Sequence, residues 1–141
     1  MTIYTDGACN FNTRNSNNIG GWSYVIVDDK NQMIKEETGR YIKTTNNRME
    51  LMAAIKALES ITTRDDNILL LSDSAYLVNT MMKGWKRNTN HDLWSRLDCL
   101  SRKRTVTFKH VKGHDGNTWN ERCDKLATQK MNGNFLIDLY E

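Results

Sequence analysis

The chain has 141 residues and a mass of 16.4 kDa, which allows one domain, residues 1–141, and excludes two domains of ordinary size. Hydrophobic residues make up 38% of the chain and charged residues 26%, and no run approaches the roughly 18 apolar residues of a membrane span, so we expect a water-soluble globular protein. The net charge is a mild +3, and Cys9, Cys99 and Cys123 have neither metal-ligand spacing nor an even count for disulfides. With no secretory signal in the first residues, we expect a reducing cytoplasm and, by default, a monomer.

The first part of the chain predicts three antiparallel strands. A short strand begins at Ile3 to Thr5, and the aromatic and β-branched run Gly21 to Val27 predicts a second. Residues 28–31, Asp-Asp-Lys-Asn, are typical of a hairpin turn into a third strand, Gln32 to Tyr41.

The second part alternates between helices and strands. Helical spacing of apolar residues predicts a helix from Asn47 to Ser60, and the wholly apolar run Ile68 to Leu71 predicts a strand buried on both faces. Further predicted elements are helices over 74–82, 92–101 and 118–130 and a strand over 105–110. This order predicts an α/β architecture, a mixed sheet covered by helices.

Basic residues are concentrated between Lys83 and Arg104. This segment contains seven lysines and arginines but only two acidic residues, Asp92 and Asp98. Its net charge is therefore +5, whereas that of the whole chain is +3. The asymmetry indicates either a polyanionic partner or a solvated basic face.

Two aspartates adjoin predicted strands. Asp6 follows the first strand and Asp73 follows the buried run ending at Leu71, and strand ends are where α/β sheets collect ligands. Aspartate is also common as a helix cap or turn residue, so a structural role for each stays open.

Two further carboxylates lie on predicted helices. Glu50 falls on the same face as Ala54 and Leu58, and a buried carboxylate is costly unless it is paired or bound to a metal. Asp124 falls at the boundary between the apolar and solvated faces of its helix, where it could enter a cleft or be an ordinary boundary residue.

Together these carboxylates have a physical purpose. Several carboxylates held close together repel one another, and divalent cations make the arrangement tolerable. Oxygen ligands favour Mg²⁺ or Mn²⁺, and two such ions can support phosphodiester hydrolysis.

Five sequence blocks match a known family in order. The chain resembles type 1 ribonuclease H over nearly its whole length, and the matching blocks are 4–9 (YTDGAC), 44–51 (TTNNRMEL), 72–74 (SDS), 111–114 (VKGH) and 120–124 (NERCD). The resemblance implies a ribonuclease H-like fold, a mixed five-stranded sheet whose first three strands are antiparallel and the rest parallel, flanked by helices.

The resemblance also implies an activity and a catalytic site. It implies cleavage of the RNA strand of RNA–DNA hybrids, to 5′-phosphate and 3′-hydroxyl ends, with two Mg²⁺ ions (Mn²⁺ possible) held by Asp6, Glu50, Asp73 and Asp124. His114 corresponds to the family's histidine that assists proton transfer or product departure. Its neutral pKa range suits that role, although a lone histidine is more often structural.

Substrate contacts follow from the same resemblance. Cys9, Asn12, Asn46 and Asn120 correspond to residues lining the minor groove, where the 2′-hydroxyls of RNA are displayed. Thr45, with Lys43 nearby, corresponds to a pocket for a DNA-strand phosphate. The structural alternative for Asn46 and Asn47 is a helix cap.

The chain departs from the family pattern in two places. Many bacterial relatives have a long basic protrusion where this chain has only residues 82–91, so Trp85 and its neighbouring basic residues are expected to form a reduced platform for the DNA strand. Ala75 stands where many relatives have a glutamine that contacts the substrate.

Two other functions remain open from the sequence. One is a non-catalytic module that binds hybrids, against which the full set of carboxylates argues. The other is a nuclease of the same fold that acts on DNA, against which Cys9, Asn12 and Asn46 argue.

Overall fold

The computed structural model describes residues 1–10, 18–63, 67–112 and 117–133. In chain order its elements are β1 (Thr2–Cys9), β2 (Ile19–Val27), β3 (Met33–Ile42), α1 (Asn46–Glu59), β4 (Asn67–Ser72), α2 (Ala75–Lys83), α3 (His91–Arg102), β5 (Thr105–His110) and α4 (Thr118–Asn132). Every predicted strand and helix is present. No helix in the described ranges is long and apolar enough to cross a bilayer.

The strands form one sheet in the order β3-β2-β1-β4-β5. Strands β1, β2 and β3 pair antiparallel, whereas β4 is parallel to both β1 and β5. The prediction of a mixed five-stranded α/β sheet is therefore confirmed. In the β1–β4 pair Thr5 lies opposite Ser72, so the residues that follow them, Asp6 and Asp73, are brought side by side in the middle of the sheet.

One prediction about β1 was wrong. Asp6 was expected to follow the strand, but β1 continues to Cys9 and Asp6 lies inside it. The reason is that β1 has two partners of different length: its pairing with β4 stops at Thr5, while its pairing with β2 continues to Cys9 opposite Gly20. Asp6 is thus at a strand end with respect to β4 only.

The two faces of the sheet are covered by different helices. The larger core lies between the sheet and α1, and includes the predicted apolar stripe of α1, with α3 packed on the outer side through Leu93, Trp94 and Leu97. A smaller cluster on the opposite face contains Tyr4, Val25, Val27 and Leu71 of the strands and Cys123 of α4. The apolar run of β4 contributes to both cores, as expected of a strand buried on both faces.

Glycines allow both covering helices to approach the sheet closely. An ideal Cβ at Gly7 in β1 would lie 2.4 Å from the backbone nitrogen of Glu50 in α1. A Cβ at Gly21 in β2 would lie 2.2 Å from the carbonyl oxygen of Ala127 in α4. No Cβ fits at these distances, so both helices are seated at a depth that a larger residue would forbid.

We expect Gly21→Ala to destabilise the protein by about 2–4 kcal/mol, because the added methyl group meets the rigid backbone of α4 and must lift the helix from the sheet. The comparison variant is Gly20→Ala, whose Cβ would meet side-chain atoms of Met49 and Thr44 rather than backbone and should therefore cost less. Thermal and urea denaturation of the two variants measure the difference. Equal losses of stability would contradict the close-approach argument.

Candidate active site

Asp6 and Asp73 are positioned by neighbouring strands. The β1 residue Asp6 is only 4% exposed, and Asp73 directly follows β4 and is half-buried. One carboxylate oxygen of Asp6, Oδ1, accepts a hydrogen bond of 2.9 Å from the backbone N–H of Gly7. The orientation of Asp6 is thus fixed by the strand that carries it.

Glu50 approaches the same point from α1. Its side chain is only 3% exposed, and its Oε1 accepts a hydrogen bond from the N–H of Gly7. The N–H of Gly7 therefore serves both Asp6 and Glu50, and the missing side chain at Gly7 is what lets α1 come close enough. The apolar face of α1 explains the burial of Glu50, as the sequence predicted.

Asp6, Glu50 and Asp73 form one cluster. A carboxylate oxygen from each lies within 4.8 Å of those of the other two. Burial, followed by the negative charge of Asp73, raises the pKa of Asp6 to about 8. Burial, followed by the charges of Asp6 and Asp73, raises the pKa of Glu50 well above its usual range. Without a cation, this cluster holds protons where isolated carboxylates would have lost them.

Asp124 adjoins this cluster from α4. It is half-buried and lies outside the group of three, but its carboxylate is close enough to Asp6 that its charge and a hydrogen bond both contribute to the raised pKa of Asp6. The structure therefore brings all four predicted carboxylates to one place, three tightly and the fourth beside Asp6.

Cys123 and Ser23 anchor α4, and sequence reasoning did not identify either role. The buried thiol of Cys123 donates a hydrogen bond of 3.2 Å to the carbonyl oxygen of Tyr4. The hydroxyl of Ser23, the cross-strand partner of Asp6, donates one of 2.6 Å to the carbonyl oxygen of Cys123. These bonds fix the residue before Asp124 to the strands that carry Asp6.

His110 is a third residue whose position the sequence analysis missed. It ends β5 opposite Ser72, and its Nε2 lies 3.2 Å from the backbone oxygen of Asp73. The only signal in the sequence was its place at the end of a strand next to β4.

The residues expected at the DNA-strand phosphate lie where α1 begins. The N-cap is Thr45, whose hydroxyl oxygen accepts a hydrogen bond of 3.1 Å from the N–H of Arg48. The cap proposed at Asn46 or Asn47 was wrong, because the helix already includes both residues. Lys43 is exposed, with a left-handed φ of 56°, and Asn46 is also exposed.

The other predicted contact residues differ in exposure. The Cys9 thiol is half-buried and lies 3.7 Å from the carbonyl oxygen of Thr44, close to the start of α1. Asn120 is 2% exposed, whereas Trp85, between α2 and α3, is 49% exposed. Asn12 and His114 lie outside the described residues.

The basic segment is divided into paired and exposed charges. Arg87 pairs with Asp98 and Arg96 with Glu59, while Arg104 donates to the carbonyl oxygens of two residues that follow α1. Lys83 and Lys86, on either side of Trp85, are exposed. Part of the predicted polyanion surface is thus structural, and the exposed part is divided between Lys83 and Lys86 beside the tryptophan and Arg102 and Lys103 at the end of α3.

The donor set fits divalent cations. Several carboxylate oxygens in one largely buried cluster are the hard ligands that Mg²⁺ and Mn²⁺ prefer. A cation would offset both the burial and the neighbouring negative charge that raise the pKa values of Asp6 and Glu50. The residues able to hold such ions are Asp6, Glu50 and Asp73, with Asp124 next to them.

Comparison of the sequence with known proteins identifies relatives of one family. A sequence model of the family described as RNase H matches residues 1–132. The chain is 45% identical to a ribonuclease H of Syntrophomonas wolfei, over 90% of this chain and 92% of that protein. It is 44% identical to a ribonuclease H of Lachnoclostridium phytofermentans, over 98% of this chain and 96% of that protein.

Solved structures share the fold. RNase H1 from the halophilic archaeon Halobacterium salinarum is similar with a TM-score of 0.74 at 26% identity, covering 92% of this chain and 95% of that one. LC11-RNase H1, isolated from compost and crystallised in complex with an RNA/DNA hybrid, is similar with a TM-score of 0.79 at 24% identity and the same coverage. With the family match extending over residues 1–132, the chain belongs to the ribonuclease H family.

Proposed function

We propose that this protein is an endonuclease that hydrolyses the RNA strand of RNA–DNA hybrids and leaves 5′-phosphate and 3′-hydroxyl ends. The observation that carries the proposal is the buried cluster of Asp6, Glu50 and Asp73, whose oxygens lie within 4.8 Å of one another and whose repulsion calls for cations. Membership of the ribonuclease H family and the hybrid bound by LC11-RNase H1 support the choice of substrate.

We propose that Asp6, Glu50, Asp73 and Asp124 would hold two Mg²⁺ ions, or Mn²⁺. Such ions, when bound, activate a water and stabilise the leaving oxygen of a phosphodiester. Asp6 is the member that contacts the rest of the set: oxygens of Glu50 and Asp73 lie within 4.8 Å of one of its own, and the Asp124 carboxylate on α4 contributes to its raised pKa. Asp6 lies in a strand, Glu50 and Asp124 lie in helices, and Asp73 directly follows β4, so regular secondary structure positions the set.

The hybrid is proposed to lie across the N-terminus of α1. Backbone N–H groups and the positive end of the helix dipole favour a phosphate there, beside Thr45 and the exposed Lys43. Cys9, Asn12, Asn46 and Asn120 are proposed to read the 2′-hydroxyls of the RNA, and exposed Trp85 to support the DNA strand. His114 is proposed to assist proton transfer or product departure.

Two other functions make different predictions about which substrates are bound and cleaved. A non-catalytic hybrid-binding module would keep the contact residues without needing the carboxylate cluster, and a nuclease of the same fold that acts on DNA would not need to read 2′-hydroxyls. A single domain over residues 1–141, a monomeric state and a cytoplasmic location remain predictions.

The proposed activity is tested with four labelled substrates: hybrid, duplex RNA, duplex DNA and single-stranded RNA. We expect internal cleavage of the RNA in the hybrid alone, abolished by EDTA and restored by Mg²⁺. Because Asp6 is a proposed direct ligand, Asp6→Asn should reduce the rate by more than the roughly 100-fold that changes around a metal site can cause. Gel analysis of the fragments, with phosphatase treatment to identify the ends, gives the measurement.

Other results would select the other functions. Binding of hybrid without cleavage in Mg²⁺ or Mn²⁺ selects the binding module, and cleavage of duplex DNA selects the DNA-acting nuclease. Full activity in EDTA would overturn the metal-dependent mechanism.

The raised pKa values predict how the stability of the metal-free protein depends on pH. The pKa of Asp6 rises from an ordinary value of 3.8 to about 8 on folding, so the folded state binds more protons than the unfolded state between these values. The free energy of unfolding in EDTA should therefore fall as pH rises from about 4 to 8. Added Mg²⁺ should reduce this loss, because bound cations replace the protons.

Asp6→Asn should raise the stability of the metal-free protein at pH 8, because it removes one buried negative charge and keeps an oxygen to accept from Gly7. We expect a gain of about 1–3 kcal/mol, or roughly 3–10 °C in Tm, measured by thermal denaturation in EDTA. Asp29→Asn is the matched control, because Asp29 has a side chain that is 97% exposed and should change Tm little. A lower Tm for Asp6→Asn would contradict repulsion within the cluster.

A further inference from the structure

We propose that Arg48, Asn90 and Asp92, here named the Arg48 bridge, are positioning residues for the nucleic acid. They fix the segment that carries Trp85, residues 84–90, relative to the N-terminus of α1. This inference rests on the proposed function, because it concerns how two surfaces for the DNA strand are kept in register.

The first contact of the bridge joins α1 to α3. The guanidinium of Arg48 makes two parallel hydrogen bonds to Asp92, 3.0 Å from Nη1 to Oδ1 and 2.8 Å from Nη2 to Oδ2. The pair holds the pKa of Asp92 down at about 2. Two parallel bonds define both distance and orientation, which a single contact would not.

The second contact reaches the end of the Trp85 segment. Nη1 of Arg48 also donates to Oδ1 of Asn90 at 3.2 Å, and the Asn90 amide nitrogen donates to the Tyr76 hydroxyl at 3.2 Å. Nε1 of Trp94 donates to the same hydroxyl at 3.1 Å. Asn90 is the N-cap residue of α3 and has a left-handed φ of 61°, but its side chain makes no capping hydrogen bond to that helix. Its side-chain amide instead links Arg48 to Tyr76 of α2.

Arg87 holds the middle of the segment against the same aromatic group. Its guanidinium lies 4.8 Å from the ring centroid of Trp94 and pairs with Asp98 at 2.5 Å and 3.0 Å. The segment is thus held at its centre by Arg87 and at its C-terminal end by Asn90, while Trp85 remains 49% exposed.

The other end of the bridge lies at the proposed phosphate site. The N–H of Arg48 donates to the hydroxyl of Thr45, and Glu50 follows two residues later. The Arg48 side chain, in the first turn of α1, therefore connects the start of α1 to the Trp85 segment. Loosening it should misplace one nucleic-acid surface relative to the other without moving the carboxylates.

A purely stabilising role does not account for this arrangement. The Asp92 side chain is 63% exposed and that of Arg48 is 32% exposed, and exposed ion pairs contribute little to folding. A second ion pair joins the same two helices, Arg96 to Glu59 at 3.2 Å, away from the Trp85 segment. It provides an internal control.

The test compares Asp92→Asn with Glu59→Gln. Each removes one negative charge from an α1–α3 ion pair, and the added net positive charge alone should favour a polyanion equally in both. We expect Asp92→Asn to weaken hybrid binding roughly two- to tenfold, the loss expected when one or two directional bonds are removed. Glu59→Gln should bind as tightly as the unaltered protein or slightly more tightly. Fluorescence anisotropy with a labelled hybrid at fixed Mg²⁺ and salt measures Kd.

Steady-state kinetics separate positioning from general damage. Asp92→Asn should raise KM with little change in kcat, because the carboxylate cluster is untouched, and its Tm should match that of Glu59→Gln. Asn90→Gly is a second variant that keeps the left-handed backbone and removes the linking amide. It should reproduce the rise in KM.

The outcomes separate this inference from the proposed function. Suppose that the unaltered protein binds and cleaves hybrid, but that Kd and KM of Asp92→Asn and Asn90→Gly equal those of the control Glu59→Gln. The positioning role is then overturned and the proposed function stands. An equal loss of kcat in Asp92→Asn and Glu59→Gln also overturns it. If the unaltered protein neither binds nor cleaves hybrid, the proposed function itself fails.

Discussion

Repulsion among buried carboxylates is the constraint on which the rest of this structure depends. Asp6 and Glu50 are almost fully buried, and each has a carboxylate oxygen within 4.8 Å of one of Asp73. Burial, followed by neighbouring negative charge, raises the pKa of both Asp6 and Glu50. Folding must therefore hold together groups that would separate if they were free to move. Apolar packing of α1 against the sheet and α3 offsets the free-energy cost of keeping these carboxylates together. Glu50 lies on α1, which could not move away without exposing the apolar residues of this core to water.

The elements around the cluster are fixed by contacts that leave little freedom. Gly7 lets α1 approach β1 and shares its N–H between Asp6 and Glu50, so one residue supplies both the space and the hydrogen bonds. On the other face, Ser23 and Cys123 tie α4 to the strands beside Asp6. The positions of Asp6, Glu50 and Asp124 are consequently set by contacts within the fold itself.

The sequence predicted the fold better than it predicted how the site is supported. The spacing of apolar residues and the local composition identified every helix and strand, because apolar spacing reflects burial. Glu50 was a candidate site residue because a carboxylate on the apolar face of a helix is costly unless it is paired or bound to a metal. The extension of β1 beyond Asp6 and the cap at Thr45 depend on pairing lengths and backbone geometry, which no local pattern encodes. The anchoring roles of Ser23 and Cys123 join residues 100 positions apart, and nothing near either residue indicates them.

The basic segment illustrates why a charge count cannot identify a binding surface. Along the chain, the residues from Lys83 to Arg104 form one run of positive charge, yet α3 separates its two ends and ion pairs commit Arg87 and Arg96 to the protein itself. The exposed basic residues that remain form two separate groups, Lys83 and Lys86 beside Trp85 and Arg102 and Lys103 at the end of α3. On the inference drawn above, the Arg48 bridge holds the group around Trp85 in position relative to the N-terminus of α1. The physical role of the surrounding network is therefore to limit motion, and its effect should be seen in binding rather than in stability.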